Sequence, residues 1–201
     1  MPYFLTQIKL TPELIVRQKI TDSYSIHRLV YDQFSRNNND NSIKRSMPLW
    51  ALSSVDIVNK VVILSSNPPR DDVVPYIQNN RNVIIYPEKI FLGKNFIFKI
   101  TANPILKSNG KILPIRDCED VKLWFTRQCD KNGFVAKNLI ITNIRADIFK
   151  DKFCHLVTIN KAEISGELTV NDPVKFKFAV LNGIGREKAF GCGLLQIIPK
   201  K

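Results

Sequence analysis

Strand and helix signals follow one another twice in the same order, and that order leaves few folds open to the chain. Tyr3–Leu10 is rich in β-forming residues, and Thr21-Asp22 opens a helix running to about Phe34. Leu49–Val55 and Val61–Ser65 read as strands. The Pro68-Pro69 turn leads into a short helix over Asp71–Gln78, and Val83–Tyr86 and Phe96–Ala102 are extended. The second half repeats the theme less cleanly. A helix over Asp117–Cys129 precedes strands over Asn138–Ile144 and Leu156–Val170, a helix over Asp172–Leu181 and a closing strand over Leu194–Ile198. Strand-helix-strand-strand-helix-strand, taken twice, predicts an α+β protein of two tandem ferredoxin-like domains. The expected boundary lies between Pro104 and Arg116, across the Ser108-Asn109-Gly110 turn, giving domains 1–106 and 107–201. The polar stretch Arg36–Ser42 reads as loop or disorder.

Charge narrows the partners. The chain carries 30 Lys and Arg against 18 Asp and Glu, a net +12, and the excess is spread over both halves. A folded protein this basic is suited to the phosphates of nucleic acid. The N-terminal segment lacks the basic region and long apolar core of a signal peptide, and no apolar run approaches membrane-spanning length. The four cysteines show neither C-x-x-C spacing nor neighbouring histidine pairs, so the expectation is free thiols in a reducing cytoplasm, no metal and no membrane.

Four of the eight glycines fall within Gly183-Ile184-Gly185-Arg186-Glu187-Lys188-Ala189-Phe190-Gly191-Cys192-Gly193. Glycine permits positive φ, so a run of this kind can turn amide N–H groups toward one point, and the neighbouring Arg186 and Lys188 add charge for a phosphate. The same residues also suit a helix C-cap and a tight turn into a buried last strand. The loop fits neither common phosphate motif. No glycine in it precedes Lys-Ser/Thr, Lys188 stands where the third glycine of a dinucleotide fingerprint belongs, and the loop follows a helix. Nucleotide hydrolysis and dinucleotide binding are therefore disfavoured.

Projected at 100° per residue, the helix after Asp22 puts Ile26, Leu29, Val30 and Phe34 on one face and Tyr24, His27, Arg28 and Tyr31 on another. Only two histidines occur in the chain. RNA is cut without metal when its own 2′-hydroxyl attacks the adjacent phosphate. That reaction needs a base, a proton source for the departing 5′-oxygen, and cations for the phosphorane. His27 suits the acid–base role, Tyr24 an orienting role and Arg28 a phosphate oxygen. The Asp71-Asp72 and Asp117/Glu119/Asp120 groups read as helix N-terminal acids rather than ligands of a two-metal centre. His155, in a strand-like run beside Cys154, reads as packed or exposed.

These residues resemble CasE, the CRISPR repeat-RNA endoribonuclease family of type I-E systems. Three segments in order carry the resemblance: the Tyr-x-x-His of Asp22–Phe34, Thr101-Ala102-Asn103-Pro104-Ile105, and Gly166-Glu167-Leu168-Thr169-Val170-Asn171-Asp172 leading through the glycine loop to Pro199. The resemblance implies an enzyme with no cofactor and no small-molecule partner. It would bind the stem-loop of precursor CRISPR RNA and cut at the base of its 3′ side without metal. The ends would be a 5′-hydroxyl and a 2′,3′-cyclic phosphate, and the protein would stay on the mature guide within the Cascade complex. It makes His27 catalytic and Tyr24 its assistant. The RNA-binding candidates are Arg28, the boundary cations Lys107, Lys111 and Arg116, and, in the loop, Gly183, Gly185, Arg186, Lys188, Gly191 and Gly193. The segment Arg36–Met47 has no counterpart in the family pattern. A non-cleaving RNA-binding subunit of the same architecture would need the loop and the charge but not the Tyr24/His27 pair. An RRM-type single-strand binder would carry aromatic and glycine residues interleaved on a strand, a pattern this chain lacks.

Overall fold

The structure is a computed structural model, and it describes residues 2–34, 47–55 and 58–200. The polar stretch 36–42 lies outside them. The chain forms two compact units, Met1–Tyr86 with Ala189–Gly191, and Pro87–Lys188 with Cys192–Lys201.

In the first unit, β1 (Phe4–Lys9) is followed by α1 (Pro12–Gln18) and α2 (Ser23–Tyr31), then β2 (Leu49–Val55), β3 (Val58–Ser65), the single-turn α3 (Pro75–Gln78) and β4 (Arg81–Ile85). The antiparallel sheet has the order β2-β3-β1-β4, the arrangement of a ferredoxin-like domain. Its core is Ile8, Leu14, Ile26, Leu29, Val30, Trp50, Val61 and Ile63. α2 starts where expected, because the Asp22 carboxylate accepts from the Ser25 amide at 2.8 Å while the Ser25 hydroxyl accepts from the Asp22 amide at 3.0 Å. This reciprocal cap satisfies two N–H groups that a helix start leaves open. The third helix is shorter than the expected 71–78. Asp71 and Asp72 precede it and pair with arginines, Asp72 with Arg70 at 2.6 Å and Asp71 with Arg81 at 3.8 Å.

The second unit contains β5 (Asn95–Ala102), the hairpin β6 (Ile105–Ser108) and β7 (Lys111–Pro114), α4 (Cys118–Lys131), β8 (Phe134–Lys150), β9 (Leu156–Val170), α5 (Pro173–Asn182) and β10 (Gln196–Pro199). Its sheet order, β10-β5-β9-β8, is that of the first unit again, with β5 as the opening strand. That explains why the units divide after Tyr86 and not at 106/107. β5 lies beside β9 and β10, and the strand read as the end of the first domain begins the second. Phenylalanines fill this core, with ring centroids 5.4 Å apart for Phe96–Phe176 and Phe98–Phe125 and 5.8 Å for Phe134–Phe176. α5 begins as its sequence predicts. Asp172 accepts from the amides of Val174 and Lys175 at 3.1 Å, Pro173 takes the first helical position, and Gly183 ends the helix at φ 75°.

Candidate functional site

α2 carries the expected face. Ser23, Ser25, Ile26, Leu29 and Val30 are buried, and His27 is half-buried between aromatic rings. The imidazole lies 4.1 Å from the Tyr31 ring, 5.9 Å from Tyr24, stacked at 17°, and 5.3 Å from Phe190. The guanidinium of exposed Arg28 sits 6.0 Å from the Tyr24 ring centre. Burial raises the pKa of Tyr31 and holds it as the neutral phenol.

One hydrogen bond fixes the chemistry of this imidazole. His27 Nδ1 lies 2.9 Å from the carbonyl oxygen of Ala189, a group that can only accept. Nδ1 therefore carries a proton, and in the neutral ring Nε2 holds the lone pair. Nε2 makes no hydrogen bond among the described residues. Nothing in the sequence marks Ala189, because its contribution is a backbone oxygen. Phe190 and Tyr31 likewise gave no sign of flanking the histidine beyond their positions in the loop and on the helix face.

The glycine loop divides its work. Gly183, Gly185, Gly191 and Gly193 all take positive φ, from 75° to 87°. The amides of Gly183 and Gly193, however, are spent inside the protein, on the carbonyls of Ala179 at 2.8 Å and Thr101 at 2.7 Å. Ile184 N–H donates to the Gly193 carbonyl at 2.9 Å, closing the loop on itself. Lys188 turns inward, its ammonium donating to the Asn182 carbonyl at 2.7 Å, and burial lowers its pKa. For Gly183, Gly193 and Lys188 the expected phosphate cradle thus gives way to a helix end and a tight turn, because the last carbonyls of α5 and the crossing to β5 need these donors first. Gly191 is buried, and only Gly185 and Arg186 are exposed.

The boundary cations stand on a ribbon. Asn109 at φ 48° and Gly110 at φ 74° make the two-residue turn joining β6 to β7, the conformation an Asn-Gly pair favours. Lys107 faces Ile112 and Lys111 faces Ser108 across it, so the two lysines leave opposite faces of the hairpin. Lys107, Lys111 and Arg116 are exposed, as are Leu106, Ile112 and Leu113. None of the three cations, nor Arg28 or Arg186, makes an ion pair among the described residues. Arg116 also lines a surface cavity of about 270 Å³ with Asn103 and Asn160.

The Asp117 carboxylate caps α4, accepting from the amides of Glu119 and Asp120 at 2.9 and 3.1 Å, which accounts for that acidic group. His155 sits exposed in the β8–β9 turn, 3.4 Å from Asp151. Among the described residues no three His, Cys, Asp or Glu side chains gather in a metal-binding arrangement, and no helix is long and apolar enough to cross a membrane.

The model of the CRISPR associated protein family matches residues 3–199, and the chain belongs to that family. It is 23% identical to the CRISPR-associated endoribonuclease Cse3 of Thermus thermophilus, over 98% of this chain and all of that protein. Among solved structures it is similar to Thermus thermophilus Cse3 bound to an RNA representing a pre-cleavage complex, with a TM-score of 0.80, 20% identity, and coverage of 99% of this chain and 100% of that one. A chain of a CRISPR RNA-guided surveillance complex matches with a TM-score of 0.68 and 21% identity, over 98% of this chain and 100% of that one. These likenesses agree with the tandem ferredoxin-like fold.

Proposed function

We propose that the protein is a metal-independent endoribonuclease of CRISPR precursor RNA. It acts in the cytoplasm, cuts within the repeat stem-loop, and afterwards stays on the mature guide RNA as a subunit of the Cascade surveillance complex. The observation that carries this reading is the Nδ1–Ala189 hydrogen bond, which leaves His27 Nε2 as the proton-accepting nitrogen on a ring fixed by Tyr24, Tyr31 and Phe190. Family membership and the likeness to Cse3 support the choice of RNA.

In this reading Nε2 takes the proton of the 2′-hydroxyl as that oxygen attacks the neighbouring phosphorus. The P–O bond to the 5′-oxygen breaks and that oxygen takes a proton from solvent water, giving a 2′,3′-cyclic phosphate and a 5′-hydroxyl, and the imidazolium afterwards returns its Nε2 proton to solvent. The imidazolium that forms still donates through Nδ1 to Ala189, so its charge is partly met by a carbonyl dipole. Arg28, unpaired by any carboxylate among the described residues, is the nearest cation on the same helix for the phosphorane oxygens. Tyr24 orients the ring by stacking. The cations of the hairpin hold the RNA backbone.

The test is incubation with RNA transcribed from the host's repeat in the presence of EDTA, followed by identification of the ends. Cleavage to a 2′,3′-cyclic phosphate, abolished by 2′-deoxyribose 5′ of the cut, is expected. Loss of activity on chelation with recovery in magnesium overturns the metal-independent mechanism. Tight binding with no cleavage under any condition favours a non-catalytic RNA-binding subunit.

A further inference from the structure

Two donors meet on the Ala189 carbonyl. His27 Nδ1 reaches it at 2.9 Å, and so does the indole Nε1–H of Trp50, also at 2.9 Å. A carbonyl oxygen has two lone pairs, so these two bonds can use both. Trp50 lies on β2 with only 1% of its surface exposed, inside the core cluster that includes Ile26, Leu29 and Val30 of α2. Its ring also meets the loop at a second point. A Cβ placed on Gly191 would stand 2.6 Å from the indole, closer than real contacts allow, so the backbone there lies close against the six-membered ring. Trp50 therefore grips residues on both sides of Phe190, whose own ring packs on His27.

The aromatic neighbours of His27 hold its plane but do not discriminate between its nitrogens, since a ring face meets either tautomer alike. The discrimination comes from the Ala189 oxygen, and Trp50 donates a second hydrogen bond to that same oxygen. We propose that Trp50 is a positioning residue for the cleavage reaction: through the Ala189 carbonyl it keeps the proton of neutral His27 on Nδ1 and the lone pair on Nε2. This rests on the reading of His27 as the base. Without the indole donor the carbonyl keeps one partner and can turn toward water. The ring then drifts toward the Nε2–H form that a free imidazole in water prefers, and that form cannot accept a proton at Nε2.

The experiment replaces Trp50 with benzothienylalanine, which keeps the shape of the indole but has sulfur in place of the N–H, and with Trp50→Phe as a second variant. Nitrogen-15 shifts of His27 in the full-length protein without RNA report the tautomer, and single-turnover cleavage and filter binding report the reaction. In the unaltered protein His27 is expected as the Nδ1–H tautomer. In either variant that folds, the Nε2–H population rises, cleavage at saturating protein falls about 10- to 100-fold, and RNA affinity stays within about twofold. An unchanged tautomer in a folded variant overturns the proposal, as does finding the unaltered protein mainly in the Nε2–H form, a measurement that needs no variant. Failure of the cleavage reading is seen separately: His27→Ala cutting at the unaltered rate removes that reading, while the nitrogen shifts still decide what Trp50 does.

Discussion

The two units share a strand order and differ in what they hang on it. In the first, the helix before the second strand of the frame, α2, presents Tyr24, His27, Arg28 and Tyr31 around one imidazole. In the second, the corresponding helix α4 carries Val121, Phe125 and Cys129 inward and exposed polar residues such as Thr126 and Arg127 outward, with no histidine. What the second unit adds is reach, in the basic hairpin 105–114 and in β8 and β9, of 17 and 15 residues. Its core holds stacked phenylalanines, whereas the core of the first is mostly aliphatic and includes Trp50. In the proposed reading, one frame used twice separates acid–base chemistry from a surface suited to holding a polyanion. A duplicated fold does not imply a duplicated site.

The largest expected effect tests where the chemistry lies. His27→Ala is expected to slow single-turnover cleavage by about 10²–10⁴-fold, the range for loss of a general acid or base, with RNA affinity nearly unchanged. Cleavage at the unaltered rate would dissolve the contrast between α2 and α4. Next comes the loop, through two glycines that share φ 83°. Gly191→Val drives a branched side chain into Trp50 and is expected to destabilise the protein by about 3 kcal/mol, the upper end for overpacking a filled site. For Gly185 the nearest atom to an added Cβ is Trp124 at 3.7 Å, so Gly185→Ala is expected to cost only about 1 kcal/mol of backbone strain. Equal losses in urea denaturation would mean that Trp50 does not confine the loop.

Replacing Lys107, Lys111 and Arg116 together by alanine sharpens the other side of the comparison. The slope of log affinity against log salt is expected to flatten by up to about one unit per lost phosphate contact, while the cleavage rate at saturating protein persists. An unchanged slope would move the RNA contacts off the hairpin. The smallest expected effect is that of Tyr24→Phe, which keeps the stacked ring and loses only the hydroxyl. It is expected to reduce cleavage by less than about tenfold, well short of loss of the acid–base group itself. A loss as large as that of His27→Ala would make the hydroxyl a participant in proton transfer.

Much of this was legible in the sequence because it was written locally. Asp22 with Ser25, Asp172 with Pro173, and Gly183 mark helix ends through groups adjacent to the ends they mark. Other features were not local. The seven-residue α1 was missed although Thr11 caps it and Pro12 opens it, because one buried residue, Leu14, makes no periodicity. β8 runs from 134 to 150 where 138–144 was expected, since most of its length is exposed or half-exposed and interrupted by bulges near Asn138 and Thr142, blurring the alternation a strand shows. The composition of the glycine loop suits a phosphate cradle and a helix C-cap with a tight turn alike, and the structure gives Gly183, Gly193 and Lys188 internal partners and gives Ala189 to the histidine. A backbone carbonyl has no letter in the sequence, so the group that selects the tautomer was invisible until the chain was folded.

The excursion of residues 189–191 into the first unit also sets an order in time. On a ribosome His27, Tyr24 and Trp50 emerge early, while the oxygen that both the histidine and the tryptophan address is made only after β5 to α5 have been synthesised. A nascent chain halted at Tyr86 holds Tyr24, His27, Tyr31 and Trp50 and still lacks both the acceptor and the Phe190 ring. The proposed nuclease is therefore armed late, once nearly all of the basic surface on which its RNA would lie has already been made.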